Sequence, residues 1–295
     1  MAINNKKSVL KQRLKHLMQW LLFLTIAIAL AISLRLFLFA KFSIPTPSME
    51  PAIKAGDQVI VSKLTPGARI ITNFFSMKNS EEAQLKRTPG FAIKRNDVLI
   101  FNFPYSEWHR ITIDMNLFYA KRCVAIPGDT FYIENGIYKV KHSIDTLGCY
   151  ENQQHLSGRK ESDFDPAVYH CFPHDEHYSW NIKNFGPLYI PQKEDDLSID
   201  TRNIVLYKNL IEYETRKAIS TKDEQVFMAD SLITTYKFTK NYYFMAGDYV
   251  FDSKDSRYWG LLPEDHIVGK VAFVWNTKNK ETGKVSWDRF LKRVN

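Results

Sequence analysis

The sequence predicts a mainly β protein: an antiparallel β-sheet domain, interrupted by an inserted second domain and preceded by one transmembrane helix. Three observations carry this. A long apolar run stands near the N-terminus, short strand-like runs with turn signals follow from Gly56 onward, and the composition shifts between residues 142 and 240. The 295-residue length suggests about two domains at roughly 150 residues each. A hydrophobic content of 45% excludes disorder over the whole chain, and only 12 Gly and 12 Pro exclude a collagen-like fibre. Three cysteines are too few for a disulfide scaffold.

The N-terminal residues 1–17 carry Lys6, Lys7, Lys11, Arg13 and Lys15 without an acidic residue. Residues 18–40 are almost wholly apolar and form a helix of about 34 Å at 1.5 Å per residue. That length crosses a hydrocarbon core of about 30 Å with some tilt. Arg35 lies near the end of the run, where its side chain snorkels to the interface. A cleaved signal peptide is the rival reading, but the run exceeds an apolar h-region of about 7–15 residues. The positive-inside rule leaves the N-terminus in the cytoplasm and exports everything after Lys41. The anchor accounts for part of the net charge of +8, so the charge does not require nucleic acid. A second basic stretch, from Lys278 to Arg293, reads as a solvated face or a contact with anionic lipid heads.

Beyond the span, Pro45, Pro47 and Pro51 block a helix and fix an extended segment around Ser48. Such a segment serves equally as a stem or as the seat of a nucleophile. Ser48 lies at most roughly 29 Å from the membrane edge, even fully extended. Strands follow at Asp57–Ser62, Asn96–Asn102 and Tyr119–Ile126, the last stopped by Pro127-Gly128-Asp129. Thr130–Ile133 and Ile137–Val140 form a hairpin around Asn135-Gly136. A long strand spans His266–Trp275. Residues 142–240 are richer in His, Asp, Asn and Lys, hold one helix near Asn203–Lys217, and read as an inserted cap domain. The β-domain thus takes residues 41–141 and 241–295.

A serine nucleophile needs a base. Five of the eight histidines, His142 to His177, fall in the polar insertion; His109 and His266 stay open as candidates without a motif around them. Lys121 is the alternative, on a mostly apolar strand. Working as a base near neutral pH requires a shift of about 3 units from 10.4, roughly 4 kcal/mol, which desolvation supplies. The bland alternative is a cation at a sheet edge.

Taken together, the motifs resemble the bacterial type I signal peptidases, membrane-bound Ser/Lys endopeptidases. Four blocks match in order: Ile44–Pro51, Arg95–Phe101, Lys121–Asp129 and Gly247–Gly260. The resemblance implies an antiparallel β-sheet catalytic domain, with the insertion between the third and fourth blocks. It implies that Ser48 attacks the scissile carbonyl and neutral Lys121 accepts its proton. The oxyanion falls to the Ser48 backbone N–H and the Thr46 hydroxyl. Ser253 orients the lysine, and Asp255 and Arg257 form a supporting ion pair. Ile44, Met49 and Ile53 line shallow pockets for small side chains. The implied activity is removal of signal peptides from exported preproteins after small-x-small sites, without cofactor or metal. The implied location is the bacterial inner membrane, with the catalytic domain on the periplasmic side. Partners are then signal peptides, membrane lipid and the translocation machinery, with no nucleic acid.

Several positions depart from the family pattern. Thr46 stands for a serine, Ala125 for a glycine, Tyr249-Val250-Phe251 for a polar Asn-Arg-Asp run, and Asp252 for an asparagine. The alternative function is a catalytically inactive, membrane-tethered binding or assembly protein on the same scaffold. A self-cleaving repressor-type protease fits poorly with the span and the missing DNA-binding module. Cys149 and Cys171 would close a disulfide loop of about 22 residues worth roughly 3 kcal/mol. The rival for Cys171 is a metal site with His170, His174 and His177. Cys123 reads as a small buried hydrophobe.

Overall fold

The computed structural model describes residues 2–73, 85–105, 110–279 and 282–294, with side chains from residue 12 onward. Helix α1 (Ala2–Phe37) contains Gln12–Phe37, whose mean hydropathy of 2.2 suits a bilayer; the protein buries none of that apolar stretch. The span expected to reach Ala40 ends earlier as a helix. Strand β1 (Phe39–Ser43) begins two residues after Phe37 and pairs antiparallel with β2 (Asp57–Ser62), Phe39 opposite Ser62. Lys63 closes the helix end, its Nζ donating to the Arg35 and Leu36 carbonyls at 2.9 and 3.1 Å. A cation there satisfies carbonyls that the helix leaves open.

After β2 come β3 (Arg69–Ile71) and β4 (Leu85–Arg87), which pair with each other, then β5 (Val98–Asn102) and β6 (Phe118–Ala125). β7 (Thr130–Glu134) and β8 (Ile137–Val140) form the expected hairpin. Its turn needs positive φ at both central residues, supplied by Asn135 (49°) and Gly136 (82°).

The segment 142–240 holds α2 (Tyr150–Ser157), α3 (Pro166–Tyr169), β9 (Phe185–Tyr189), β10 (Asp196–Ser198) and α4 (Ile204–Thr215). β11 (Ile219–Lys222), β12 (Gln225–Met228), β13 (Ser231–Ile233) and β14 (Thr235–Lys237) complete it. The chain returns through β15 (Tyr242–Ala246), α5 (Ser256–Trp259), β16 (Leu262–Pro263), β17 (Ile267–Lys278) and β18 (Val285–Ser286).

The main sheet runs β1-β2-β17-β5-β6-β15-β16, with β18 on β17, and every pairing in it is antiparallel. It curls strongly: Phe42 on β1 and Phe118 on β6, four places apart in that order, bring their rings to 5.0 Å. Side chains alternate across a strand. Accordingly Val98 and Ile100 of β5 join one buried cluster, while Leu99 and Phe101 join another. A sheet covered on both faces explains why β5 reads as an unbroken apolar run.

The larger cluster also contains Leu188, Tyr207 and Leu210 from the segment 142–240, together with Phe131 and Phe244 from the sheet and hairpin. The expected second domain therefore builds no core of its own; it shares one with the sheet. β9 extends the β7–β8 hairpin, Leu188 opposite Phe131. α4 turns Ile204, Tyr207, Leu210 and Ile211 inward at helical spacing.

Candidate active site

Ser48 sits at the tip of the connection between β1 and β2. Pro45 and Pro47 keep its approach extended. Just beyond, the chain turns, with Glu50 N–H donating to the Pro47 carbonyl at 2.8 Å and Ile53 N–H to Met49 at 2.9 Å. Met49 and Ile53, fully buried in the smaller cluster, anchor the tip. Ile44 pins its base by exchanging hydrogen bonds with Asp57 and Gly56, both at 2.8 Å.

Lys121 arrives from β6, opposite Leu99 of β5, and is 4% exposed. Its Nζ lies 2.7 Å from Ser48 Oγ. Burial pushes the ammonium pKa down to about 8; Asp255 pulls it up, Arg257 pushes it down, and Asp248 and Asp252 pull it up again. Thr46 Oγ1 lies 3.3 Å from the same Ser48 Oγ.

The loop after β15 closes around this pair. Tyr249 N–H donates to the Ser48 carbonyl at 3.1 Å, and Gly247 N–H to Asp255 Oδ2 at 2.9 Å. A Cβ at Gly247 would stand 2.1 Å from Ser253 Oγ and 2.7 Å from the Ser48 carbonyl oxygen. Only glycine fits between the two serines. Asp255 and Arg257, both 0% exposed, form a two-pronged ion pair at 2.8 and 2.9 Å. Burial pushes the Asp255 carboxyl up, but the Arg257 guanidinium and the Gly247 N–H outweigh it, so it lies below the usual range. Arg257 also donates to the Val250 carbonyl at 3.1 Å, so the pair braces the loop that holds Ser48.

A cleft of about 370 Å³ opens beside Ser48 and Lys121. Phe42, Ile44 and Thr46 line one wall, Phe118 and Ala120 the other, and Asp252 reaches in from the loop. In β6 the residues from Arg122 onward pair with β15, whereas 118–121 have β5 on one side only. Cys123 N–H donates to Asp97 at 2.8 Å, so by alternation Ala120 turns its N–H and C=O toward the open side.

Ser48, Thr46 and Lys121 thus meet, and Asp255 pairs with Arg257. Ser253 is 7% exposed beside Gly247, but among the described residues its Oγ makes no hydrogen bond of ordinary geometry, to Lys121 or elsewhere. Its hydroxyl dipole still helps to hold the Asp255 carboxyl down. Ile44 lines the cleft. Met49 and Ile53 do not: at 0% exposure they pack beneath it, because the turn after Ser48 carries them inward. His266 is buried with Nδ1 3.1 Å from Asp265 and Nε2 3.0 Å from the Thr112 carbonyl, which commits both nitrogens. His109 lies outside the described residues. Cys123, Cys149 and Cys171 are free thiols, which removes the disulfide considered for the last two. His177 faces Asp175 at 2.7 Å, and among the described residues no three metal-binding side chains converge.

Two features went unread in the sequence. Arg122 grips Asp248 through Nε and Nη2, both at 2.7 Å and both side chains buried, tying β6 to the loop after β15. Its place next to Lys121 on a strand, pointing to the opposite face, was the available signal. Asn152 of α2 donates to the Asp248 carbonyl at 2.7 Å and to Glu50 at 3.4 Å, a long-range bridge with no local signature.

The family model for signal peptidase, peptidase S26, matches residues 17–276. The chain is similar to the signal peptidase I of Buchnera aphidicola subsp. Acyrthosiphon pisum, 27% identical over 251 residues, covering 83% of this chain and 71% of that relative. It is likewise similar to that of Buchnera aphidicola subsp. Baizongia pistaciae, 26% identical over 290 residues, with 95% and 84% covered. A solved signal peptidase I from Enterococcus faecalis aligns at 14% identity over 61% of this chain and 97% of its own, with a TM-score of 0.30.

Proposed function

Because the chain belongs to the signal peptidase family, peptidase S26, a family of serine proteases, we propose that it cuts signal peptides from exported preproteins with Ser48 as nucleophile and Lys121 as base. The observation that carries the reading is the 2.7 Å contact between Lys121 Nζ and Ser48 Oγ inside a buried site. Burial keeps a large share of the lysine neutral at mildly alkaline pH, which a base requires.

The preprotein enters the cleft extended and pairs with the open edge of β6 at Ala120, as a strand added to the sheet. Successive side chains of such a strand point in opposite directions, so alternate residues face the cleft wall. In this reading small side chains pack against Ile44 and Ala120 there, the small-x-small preference. Ser48 Oγ then bonds to the scissile carbonyl carbon while its proton moves to Lys121 Nζ. The carbonyl oxygen, now negative, is held by the Ser48 N–H and the Thr46 hydroxyl. Collapse of this intermediate breaks the C–N bond, and the Lys121 ammonium returns the proton to the leaving amine. Water, deprotonated by Lys121, bonds to the ester carbon; the Ser48 Oγ–C bond then breaks, releasing the signal peptide, and the Lys121 ammonium returns the proton to Ser48 Oγ.

The apolar helix and the family membership fit a membrane-anchored protein. We assign residues 18–40 to the anchor, with 1–17 on the cytoplasmic side of the bacterial inner membrane and the sheet on the outer side, by the positive-inside rule. Residues 41–141 and 241–295 carry the cleft, and 142–240 brace it.

The test is cleavage of a purified preprotein in detergent by the wild type, Ser48→Ala and Lys121→Ala, with the cut mapped by mass spectrometry. The expected result is one cut after a small-x-small site by the wild type and none by either variant. Full activity in Lys121→Ala would remove the base assignment.

A further inference from the structure

Residues 249–254 form a partition with a depression on each side. Asp252 and Lys254 border the catalytic cleft, whereas Tyr249 and Phe251 face away from it. On that far side lies a groove of about 830 Å³, walled by Tyr249 and Phe251 and, from the inserted segment, by Asn152, His155, Arg159 and Phe164. The groove lies next to the catalytic centre, behind that partition. Tyr249 N–H holds the Ser48 carbonyl at 3.1 Å, and Asn152 bridges the Glu50 and Asp248 carbonyls that flank that contact.

The two depressions lie on opposite sides of the loop that holds Ser48. The cleft reaches Phe42, the fourth residue of the strand that begins two residues after α1, so the substrate segment lying there is the part nearest the anchor. In a preprotein held by its apolar signal sequence, that part precedes the scissile bond. Chain leaving Ser48 on the opposite side, toward Tyr249 and α2, is the start of the mature protein.

The chemistry of the groove is selective. Tyr249 and Phe251 stand edge to face at 5.8 Å, with Tyr249 37% exposed although it is a large ring. Among the described residues the exposed Arg159 side chain makes no hydrogen bond or ion pair; the Asp163 carboxylate, also on this groove, accepts from the Lys160 N–H at 3.1 Å and keeps its charge. An aromatic shelf with an uncommitted guanidinium matches a peptide carrying an aromatic and an acidic side chain.

We infer that this groove binds the first residues of the mature segment and favours substrates with an aromatic and an acidic residue just after the cut. The inference rests on the peptidase reading. Its test uses the full-length protein in detergent and peptide substrates that share one signal sequence and cleavage site. Their mature segments are either Gly/Ser only, or contain Phe with Asp, or Phe with Lys. The expected result is a kcat/KM about fivefold higher for the Phe/Asp substrate than for Gly/Ser, the size of one exposed charge contact. In Arg159→Glu, an exposed position where folding is retained, the Phe/Lys substrate overtakes Phe/Asp. In Phe251→Ala the advantage of Phe over Gly/Ser shrinks. Comparing substrates within one variant cancels any loss of folded protein. Equal rates on all three substrates in the wild type, or an unchanged ranking in Arg159→Glu, would overturn the groove. A wild type that cuts no substrate would overturn the peptidase reading instead, and the inference with it.

Discussion

Thr46 is the residue on which the proposed oxyanion site most depends. Its hydroxyl is already 3.3 Å from Ser48 Oγ, and the β-branch limits it to few rotamers, so the donor is pre-aimed. Thr46→Val keeps the shape and removes the donor. The expected effect is a fall in kcat of about 10²–10³ with little change in KM, whereas Thr46→Ser retains most activity. Steady-state kinetics on one peptide substrate decides it. An effect on KM alone would place Thr46 in binding rather than in stabilising the oxyanion.

At the scale of elements, the site is a meeting of three: the β1–β2 tip, strand β6, and the loop after β15. Gly247 is where they touch most closely. In Gly247→Ala the added carbon meets Ser253 and the Ser48 carbonyl, and that carbonyl is held in place by Tyr249. The expected outcome is a loss of at least about tenfold in kcat together with about 1–3 kcal/mol of stability from overpacking. Chemical denaturation and turnover measured on the same preparation check both. The elements themselves were largely legible. Asp57–Ser62 alternates buried and half-buried residues, and the Asn135-Gly136 turn announces its hairpin. Their meeting was legible only through the family resemblance: Ser48 and Lys121 lie 73 positions apart, and no local pattern pairs them. Met49 and Ile53 show the same limit, since their apolar character fits a pocket wall and a buried anchor equally well.

On the scale of the whole molecule, Glu214 joins the segment 142–240 to the sheet. From the end of α4 its carboxylate accepts from Tyr236 and Tyr242 hydroxyls at 2.8 and 2.7 Å, and from Thr239 N–H and Oγ1, both at 2.8 Å. Glu214→Ala strands two tyrosine hydroxyls, of the buried Tyr236 and Tyr242, at once. The expected cost is about 3 kcal/mol or more. Because one apolar cluster spans both parts, the loss appears as a single unfolding transition shifted to lower denaturant. Two separate transitions would show instead that the inserted segment folds as its own domain. The compositional change at residue 142 suggested such a domain. It reported a polar surface, which is visible in a sequence, while the shared interior beneath it is assembled from residues far apart along the chain.

The most direct test of the account is the pH dependence of kcat/KM on a peptide substrate with no ionisable group near the cut. Lys121 must be neutral to accept the Ser48 proton, and its pKa lies at about 8, below the ordinary 10.5. Activity should therefore rise about tenfold per pH unit below 8 and level off above it, because the free enzyme's base governs this limb. A limb near pH 6.5, typical of histidine, or a flat profile from pH 6 to 9, would contradict Lys121 as the base.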